Sequence, residues 1–137
     1  MTAAEDIDAI RSAYAAWNRG DVNGLLEAMG DEVEVVPVLG DVVSADRFRG
    51  HEGVRHWYET VHSTLENFRA EVEDMIEIGD GRYLVKLRFS GDGKASGAPV
   101  ALDAAHILTV QGGKAVRLVG YLSWEEAAAA AGITESR

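Results

Sequence analysis

Tyr14-Ala15-Ala16-Trp17-Asn18-Arg19-Gly20-Asp21 is the stretch on which the fold turns. Ile7, Ile10, Tyr14 and Trp17 recur at intervals of three and four, which aligns their side chains on one face of an α-helix, while Arg11, Asn18 and Arg19 fall away from it. Gly20 ends that helix, because a residue without Cβ takes the left-handed conformation of a helix C-terminus at no steric cost. Asp21 then stands where it can cap a second helix, Val22 to Met29. Two large aromatics therefore face whatever lies beneath. Tyr and Trp each join an apolar body to one polar handle, a composition that serves a cavity wall as well as a solid core.

Beyond the second helix, the β-branched run Val33, Val35, Val36, Val38 is interrupted by Pro37, so it predicts a short or bulged edge-type strand. A polar loop, 40–46, leads through Phe48-Arg49-Gly50-His51-Glu52-Gly53 into a third helix whose stripe is Val54, Trp57, Tyr58, Val61 and Leu65. From Phe68 onward the period changes to two, and Gly79-Asp80-Gly81 is a hairpin signal. Tyr83, Val85, Leu87 and Phe89 alternate with Arg82, Lys86 and Arg88, the pattern of a strand with one buried face. Residues 90–99 are rich in Gly and Ser and read as a long hairpin loop. Val100 to Val110 is a long strand, Gln111-Gly112-Gly113-Lys114 a tight turn, and 115–122 a final strand whose inward set is Leu118, Gly120 and Leu122. Ser123-Trp124-Glu125-Glu126 opens a short C-terminal helix that Gly132 closes. Helices first and strands afterwards is the α+β order, in one domain spanning 1–137. The expected architecture is a curved antiparallel or mixed sheet covered by three N-terminal helices, enclosing a conical space.

Composition narrows the function. The 137 residues are 47% hydrophobic and 26% charged, as in an ordinary globular protein, and contain no Cys, which removes disulfides and thiolate chemistry. Thirteen basic against twenty-three acidic residues give a net charge of -10, which repels nucleic acid and anionic membranes. The acidic start Met1-Thr2-Ala3-Ala4-Glu5-Asp6 lacks the apolar run of a signal peptide, and no stretch is long enough to span a bilayer, so the expectation is a cytoplasmic protein.

The chain resembles the SnoaL-like branch of the nuclear transport factor 2 superfamily, the cone-shaped, cystatin-like fold shared with ketosteroid isomerase and polyketide cyclases. The resemblance rests on residues 14–21, Phe48-Arg49-Gly50-His51-Glu52-Gly53-Val54, Ser96-Gly97-Ala98-Pro99-Val100, Gly113-Lys114-Ala115-Val116-Arg117-Leu118 and the ending Tyr121-Leu122-Ser123-Trp124-Glu125-Glu126-Ala127. It is specific for fold and weak for activity, since superfolds host many chemistries. It implies a small-molecule pocket, an isomerase-, cyclase- or hydratase-type proton transfer, and a homodimer through the outer face of the sheet.

His106 is the first candidate for chemistry. Val100, Leu102, Ala104, His106, Leu108 and Val110 share one face of their strand, and the imidazole is the only polar group among them. Such a histidine either moves a proton near neutral pH or is a core residue satisfied by a backbone carbonyl or by Tyr14. By resemblance it falls near the isomerase's oxyanion-binding acid. The Trp57-Tyr58 pair occupies the place of an aromatic pair lining the isomerase pocket, whereas the isomerase's oxyanion tyrosine, counted back without gaps from Gly20, lands on Ala13 beside Tyr14. The isomerase base, an aspartate beside the proline of the short strand, is missing here, where Val36 stands. Glu34 is the nearest substitute, with Asp41 and Asp46 from the loop, the alternative for each being a solvated surface acid. The pocket lining is expected from Trp17, Val36, Trp57, Val61, Leu87, Phe89, Leu108, Leu118, Gly120 and Leu122.

His51, His56 and His62 lack the i, i+4 histidine spacing of a helical zinc motif, so no metal is expected, and no nucleotide-binding loop or nucleophile elbow indicates a cofactor. Ala101, Ala105, Ile107, Val119 and Tyr121 make the outside of the last two strands less polar than a solvated face, which is the pattern of a partner surface. The expected function is binding of a small apolar organic molecule, with turnover left open. The alternative is a non-catalytic ligand-binding or dimerisation module.

Overall fold

The computed structural model describes residues 2–37 and 47–132. Helix α1 (Ala3–Asn18) starts at Thr2, whose side chain accepts from the Glu5 amide while the Glu5 carboxylate accepts from the Thr2 amide. This capping box satisfies donors that a helix start leaves free. Gly20 takes φ +77° as expected, and Asp21 accepts from the Gly24 amide at 2.9 Å to open α2 (Val22–Glu27). That helix is shorter than its sequence implies. The Ala115 amide donates to the Ala28 carbonyl and Met29 pairs with Ala115, so strand pairing takes over and Met29 begins β1 (Met29–Val36).

After β2 (Phe48–Arg49) come α3 (Gly50–Thr64), β3 (Leu65–Gly79), β4 (Arg82–Gly93), β5 (Pro99–Gln111), β6 (Lys114–Tyr121) and α4 (Trp124–Ala131). The six strands form one mixed sheet in the order β2-β1-β6-β5-β4-β3, with β1 parallel to β6 and every other neighbour antiparallel. The architecture is the expected α+β one, although the hairpin is longer than the side-chain pattern indicates. Leu65 and Glu66 already pair with Gly93 and Asp92, and Asp92 with Pro99, so half of the predicted loop at 90–99 is strand, Ser90 to Gly93 and Pro99. Backbone pairing at an exposed hairpin end needs no apolar side chains, and periodicity is blind to it.

Helix α1 crosses the inner face of the sheet and is fastened at three levels: Asp6 to Tyr83 of β4, Tyr14 to His106 of β5, and Asn18 to β3. Asn18, off the apolar stripe, is a structural residue. Its Nδ2 donates to the Ala70 carbonyl at 2.9 Å and its Oδ1 accepts from the Ala70 amide at 2.8 Å, so one side-chain amide occupies the edge of the outermost strand as a neighbouring strand would.

Within β5, Ala104 to Leu108 are all buried and alternation disappears. The inner face lies under α1, and the outer face carries a second core, in which Leu84, Ala105 and Ile107 pack against Ala127 and Ala128 of α4. Of the apolar outer face read above as a partner surface, the chain's own C-terminal helix covers Ala105 and Ile107, with Tyr121 packed beside it, while Ala101 stays exposed and Val119 half-buried. Ser123 caps α4 by accepting from the Glu126 amide, and Gly132 closes it at φ +80°. Among the described residues no helix is long and apolar enough to cross a membrane.

The turn between β3 and β4 places Asp80 and Gly81 at φ 58° and 73°, the two left-handed positions of a type I′ hairpin. A Cβ on Gly81 would lie 2.7 Å from the Val110 carbonyl oxygen, whose own amide donates to Gly81. Gly81→Ala is expected to cost about 2 kcal/mol, from left-handed strain plus this clash, and to lower the melting temperature measured by circular dichroism.

Candidate functional site

The site is built where α1 passes over the middle of the sheet. His106 is paired in register with Val85 on one side and Gly120 on the other, and its strand parity turns it inward. Tyr14, on the buried stripe of α1, places Oη 2.6 Å from His106 Nδ1, with the two rings 5.8 Å apart and nearly parallel. The two residues are only 8% and 3% exposed, and removal from water disfavours their charged forms. Burial pushes the His106 imidazole down to about 3 and lifts the Tyr14 phenol well above its ordinary value. Both groups are therefore neutral at pH 7.

A neutral pair has two proton arrangements. With Tyr14 donating to Nδ1, the imidazole carries its hydrogen on Nε2. With Nδ1–H donating to Tyr14, the phenol hydrogen is free and Nε2 is an acceptor. Nε2 makes no hydrogen bond to a described residue. In either arrangement the pair keeps one donor and one acceptor beyond its internal bond.

Around this pair lies a cavity of about 170 Å³. Trp17, Trp57, Phe68 and Phe89 supply its aromatic wall, Met29, Leu108 and Leu118 its aliphatic one, and no charged side chain lines it among the described residues. The rings are tilted against one another, Trp17 to Trp57 at 4.7 Å and 50°, Phe68 to Phe89 at 5.4 Å and 51°. Trp17 Nε1 is buried without an acceptor among the described residues. Burying an indole of roughly 200 Å² contributes on the order of 5 kcal/mol, which exceeds the about 1–3 kcal/mol cost of an orphaned N–H, so the ring stays.

The expected residues divide clearly. Tyr14, His106, Trp17, Trp57, Val61, Phe89, Leu108 and Leu118 line the cavity. Tyr58 does not: its ring stacks on His62 at 4.0 Å and meets Trp17 edge-on, and its hydroxyl lies beside Gly20. Leu87 is fully buried in solid core, Gly120 contributes no lining surface, and Leu122 lies beyond β6, 47% exposed. Val36 and Glu34 face the opposite side of β1, because Val33 and Val35 are the buried pair and Val35 stands in register with inward Leu118. Glu34 instead gathers Arg47, Arg117 and Arg49, at 2.7, 3.2 and 3.4 Å. Hydrogen bonds from Arg47 and Arg117 hold its carboxyl below the usual range, which suits an ion cluster rather than a base poised for catalysis. Asp41 and Asp46 lie outside the described residues.

Sequence reasoning missed ten of the lining residues, among them Met29, Phe68, Ala70 and Ser90, and the buried Asp6. Asp6 falls four residues before Ile10, on the same helical stripe, and that spacing was the available signal. No group of three or more metal-capable side chains occurs among the described residues.

Residues 10–118 match the SnoaL-like domain family. An uncharacterised protein of Mycobacterium tuberculosis is 31% identical over 121 residues, covering 86% of this chain and 88% of that one. Among solved structures, an NTF2-like protein of unknown function from Burkholderia pseudomallei superimposes with TM-score 0.77 at 21% identity, covering 98% of this chain and all of that one. TerC, co-crystallised with polyporic acid, gives TM-score 0.77 at 26% identity, covering 93% and 98%. A putative polyketide cyclase from Sinorhizobium meliloti gives 0.66 at 21% identity, covering 82% and 93%.

Proposed function

This chain belongs to the SnoaL-like domain family, and from that premise we propose that it binds a small, largely apolar organic molecule in the cavity under α1 and catalyses an isomerase-, cyclase- or hydratase-type proton shift on it. The observation that carries this reading is the neutral Tyr14–His106 pair, 2.6 Å apart, in a cavity whose described lining is otherwise apolar but for Ser90. Apolar walls with a few convergent polar groups are the composition of small-molecule sites. The putative polyketide cyclase and the polyporic acid complex among its structural neighbours are consistent with that class of ligand.

The pair lends itself to a relay. Nε2 takes a proton from a carbon beside a carbonyl, Nδ1–H passes its proton to Tyr14 Oη, and the Tyr14 hydroxyl gives its own to the carbonyl oxygen. The product is the enol, the imidazole has exchanged one tautomer for the other, and no charge is left in the low-dielectric site. A lone imidazole base would become an imidazolium there, which burial opposes strongly.

Screening neutral aryl ketones by thermal shift should find ligands that raise the melting temperature, as mass action requires of any ligand selective for the native state. Tyr14→Phe is expected to weaken such a ligand about tenfold, the worth of one buried hydrogen bond. Deuterium from solvent should enter the carbon beside the carbonyl with the native protein and not with His106→Leu. Binding without exchange would favour the second reading, a non-catalytic carrier, which the absence of any carboxylate from the described lining supports. Hits unaffected by either substitution would remove the pair from the site.

A further inference from the structure

We infer that the ligand is a neutral molecule built on a single ring and bearing one oxygen directed at Tyr14 and His106; this rests on the ligand-binding role proposed for the same cavity. Volume sets the ring count. A dry apolar cavity of about 150 Å³ accommodates benzene, so one of about 170 Å³ takes one ring and a short substituent. Toward the floor a second fused ring has to displace walls that are themselves core, and toward the mouth at Val100, 41% exposed, it leaves the cavity for solvent. Met29, Leu108 and Leu118 are 2%, 1% and 3% exposed, with α1, α2 and the sheet closed around them, and close-packed interiors resist such insertion.

The wall chemistry favours a flat ring. Trp17 and Trp57 meet at 50° and Phe68 and Phe89 at 51°, so ring faces and edges are both presented, which is how an aromatic guest is held by offset and edge-to-face contact. Phe89 continues this series to His106, 5.8 Å away, and so brings the guest up to the polar pair.

Charge and polarity set the substituent. No described lining residue carries a charge, so a carboxylate or ammonium on the ligand stays uncompensated, whereas an oxygen at the pair is satisfied by its spare donor. Ser90 is a second hydroxyl in the lining, eight residues along β4 from Arg82 and toward the exposed end near Val100, and does not alter the charge balance.

The test is calorimetric titration of the full chain with acetophenone, 2-acetylnaphthalene, ethylbenzene and benzoate. In water the naphthyl ketone has more apolar surface to hide and would bind better wherever space allows. The expected order is the reverse: acetophenone at least tenfold tighter than 2-acetylnaphthalene, about tenfold tighter than ethylbenzene, and at least a hundredfold tighter than benzoate. Trp57→Ala, and the milder Val61→Ala on the half-buried face of α3, should narrow or invert the preference between the two ketones.

A naphthyl ketone that binds the native protein as tightly as acetophenone overturns the single-ring inference, and if His106→Leu weakens it, the ligand-binding reading survives. Equal affinity for benzoate overturns the requirement for a neutral guest. If no aryl ketone binds below millimolar concentration, the inference and the reading under it fall together.

Discussion

Acidification from about pH 6.5 toward pH 3 is expected to destabilise the native protein by several kcal/mol more than it destabilises His106→Leu. In the unfolded chain the imidazole titrates at its ordinary 6.5, and in the folded chain burial lowers it to about 3. Between those values the unfolded state binds the proton and the folded state does not, so stability falls as pH falls. Above 6.5 both states hold a neutral imidazole and the group contributes no pH dependence. At 1.36 kcal/mol per pH unit the interval allows on the order of 5 kcal/mol, a large part of the stability of a typical domain. Glu34 and Asp21 also have lowered carboxyl values, from Arg47 and from the Gly24 amide respectively. Both are present in both proteins, so their acid limbs cancel in the difference. Urea unfolding followed by Trp fluorescence between pH 7 and pH 4 measures it. Parallel stability curves for the two proteins would mean that the imidazole is not held neutral, and an uncharged Tyr14–His106 relay would be excluded.

Tyr83→Phe is expected to cost about 3 kcal/mol, although it removes one oxygen atom and no hydrophobic surface. The Tyr83 hydroxyl donates to Asp6 Oδ2 at 2.8 Å, Asp6 is 9% exposed, and its Oδ1 already has no partner among the described residues. Burial first, and then the Asp6 carboxyl, push the phenol up to about 12, so it remains a donor across the physiological range. Without it the acid loses its described hydrogen bond at a site where water is excluded, and the desolvation penalty of a buried polar group appears in full. Adding Asp6→Leu to Tyr83→Phe should recover most of the loss, because removing both partners leaves nothing unsatisfied. Additive losses in this cycle would show that the two side chains are not coupled.

The stripe Ile7, Ile10, Tyr14, Trp17, the Gly20 stop and the Asp21 cap are local chemistry, and all three stand as read. The same holds for the Gly79-Asp80-Gly81 turn and for the inward parity of His106 with Leu102 and Leu108, since alternation along a strand is a property of the backbone itself. Parity failed at Glu34 and Val36. A short strand carries valines at 33, 35, 36 and 38, so its pattern supports either face, and the pairing of Val35 with Leu118 decides between them.

Read by itself, the chain thus gives the helices, the strands other than the two-residue β2, their order, the family, and one imidazole on an apolar face. Packing settled the contacts between residues far apart in the chain: it chose Tyr14 for His106 over a backbone carbonyl, and it brought Asp6 to Tyr83, Asn18 to Ala70, and Ala105 and Ile107 under α4. The physical reason is that periodicity reports whether a face is covered, through the hydrophobic effect, but carries no information about what covers it. An apolar position such as Ala105 reads the same in the sequence whatever covers it, and here the cover is the chain's own last helix.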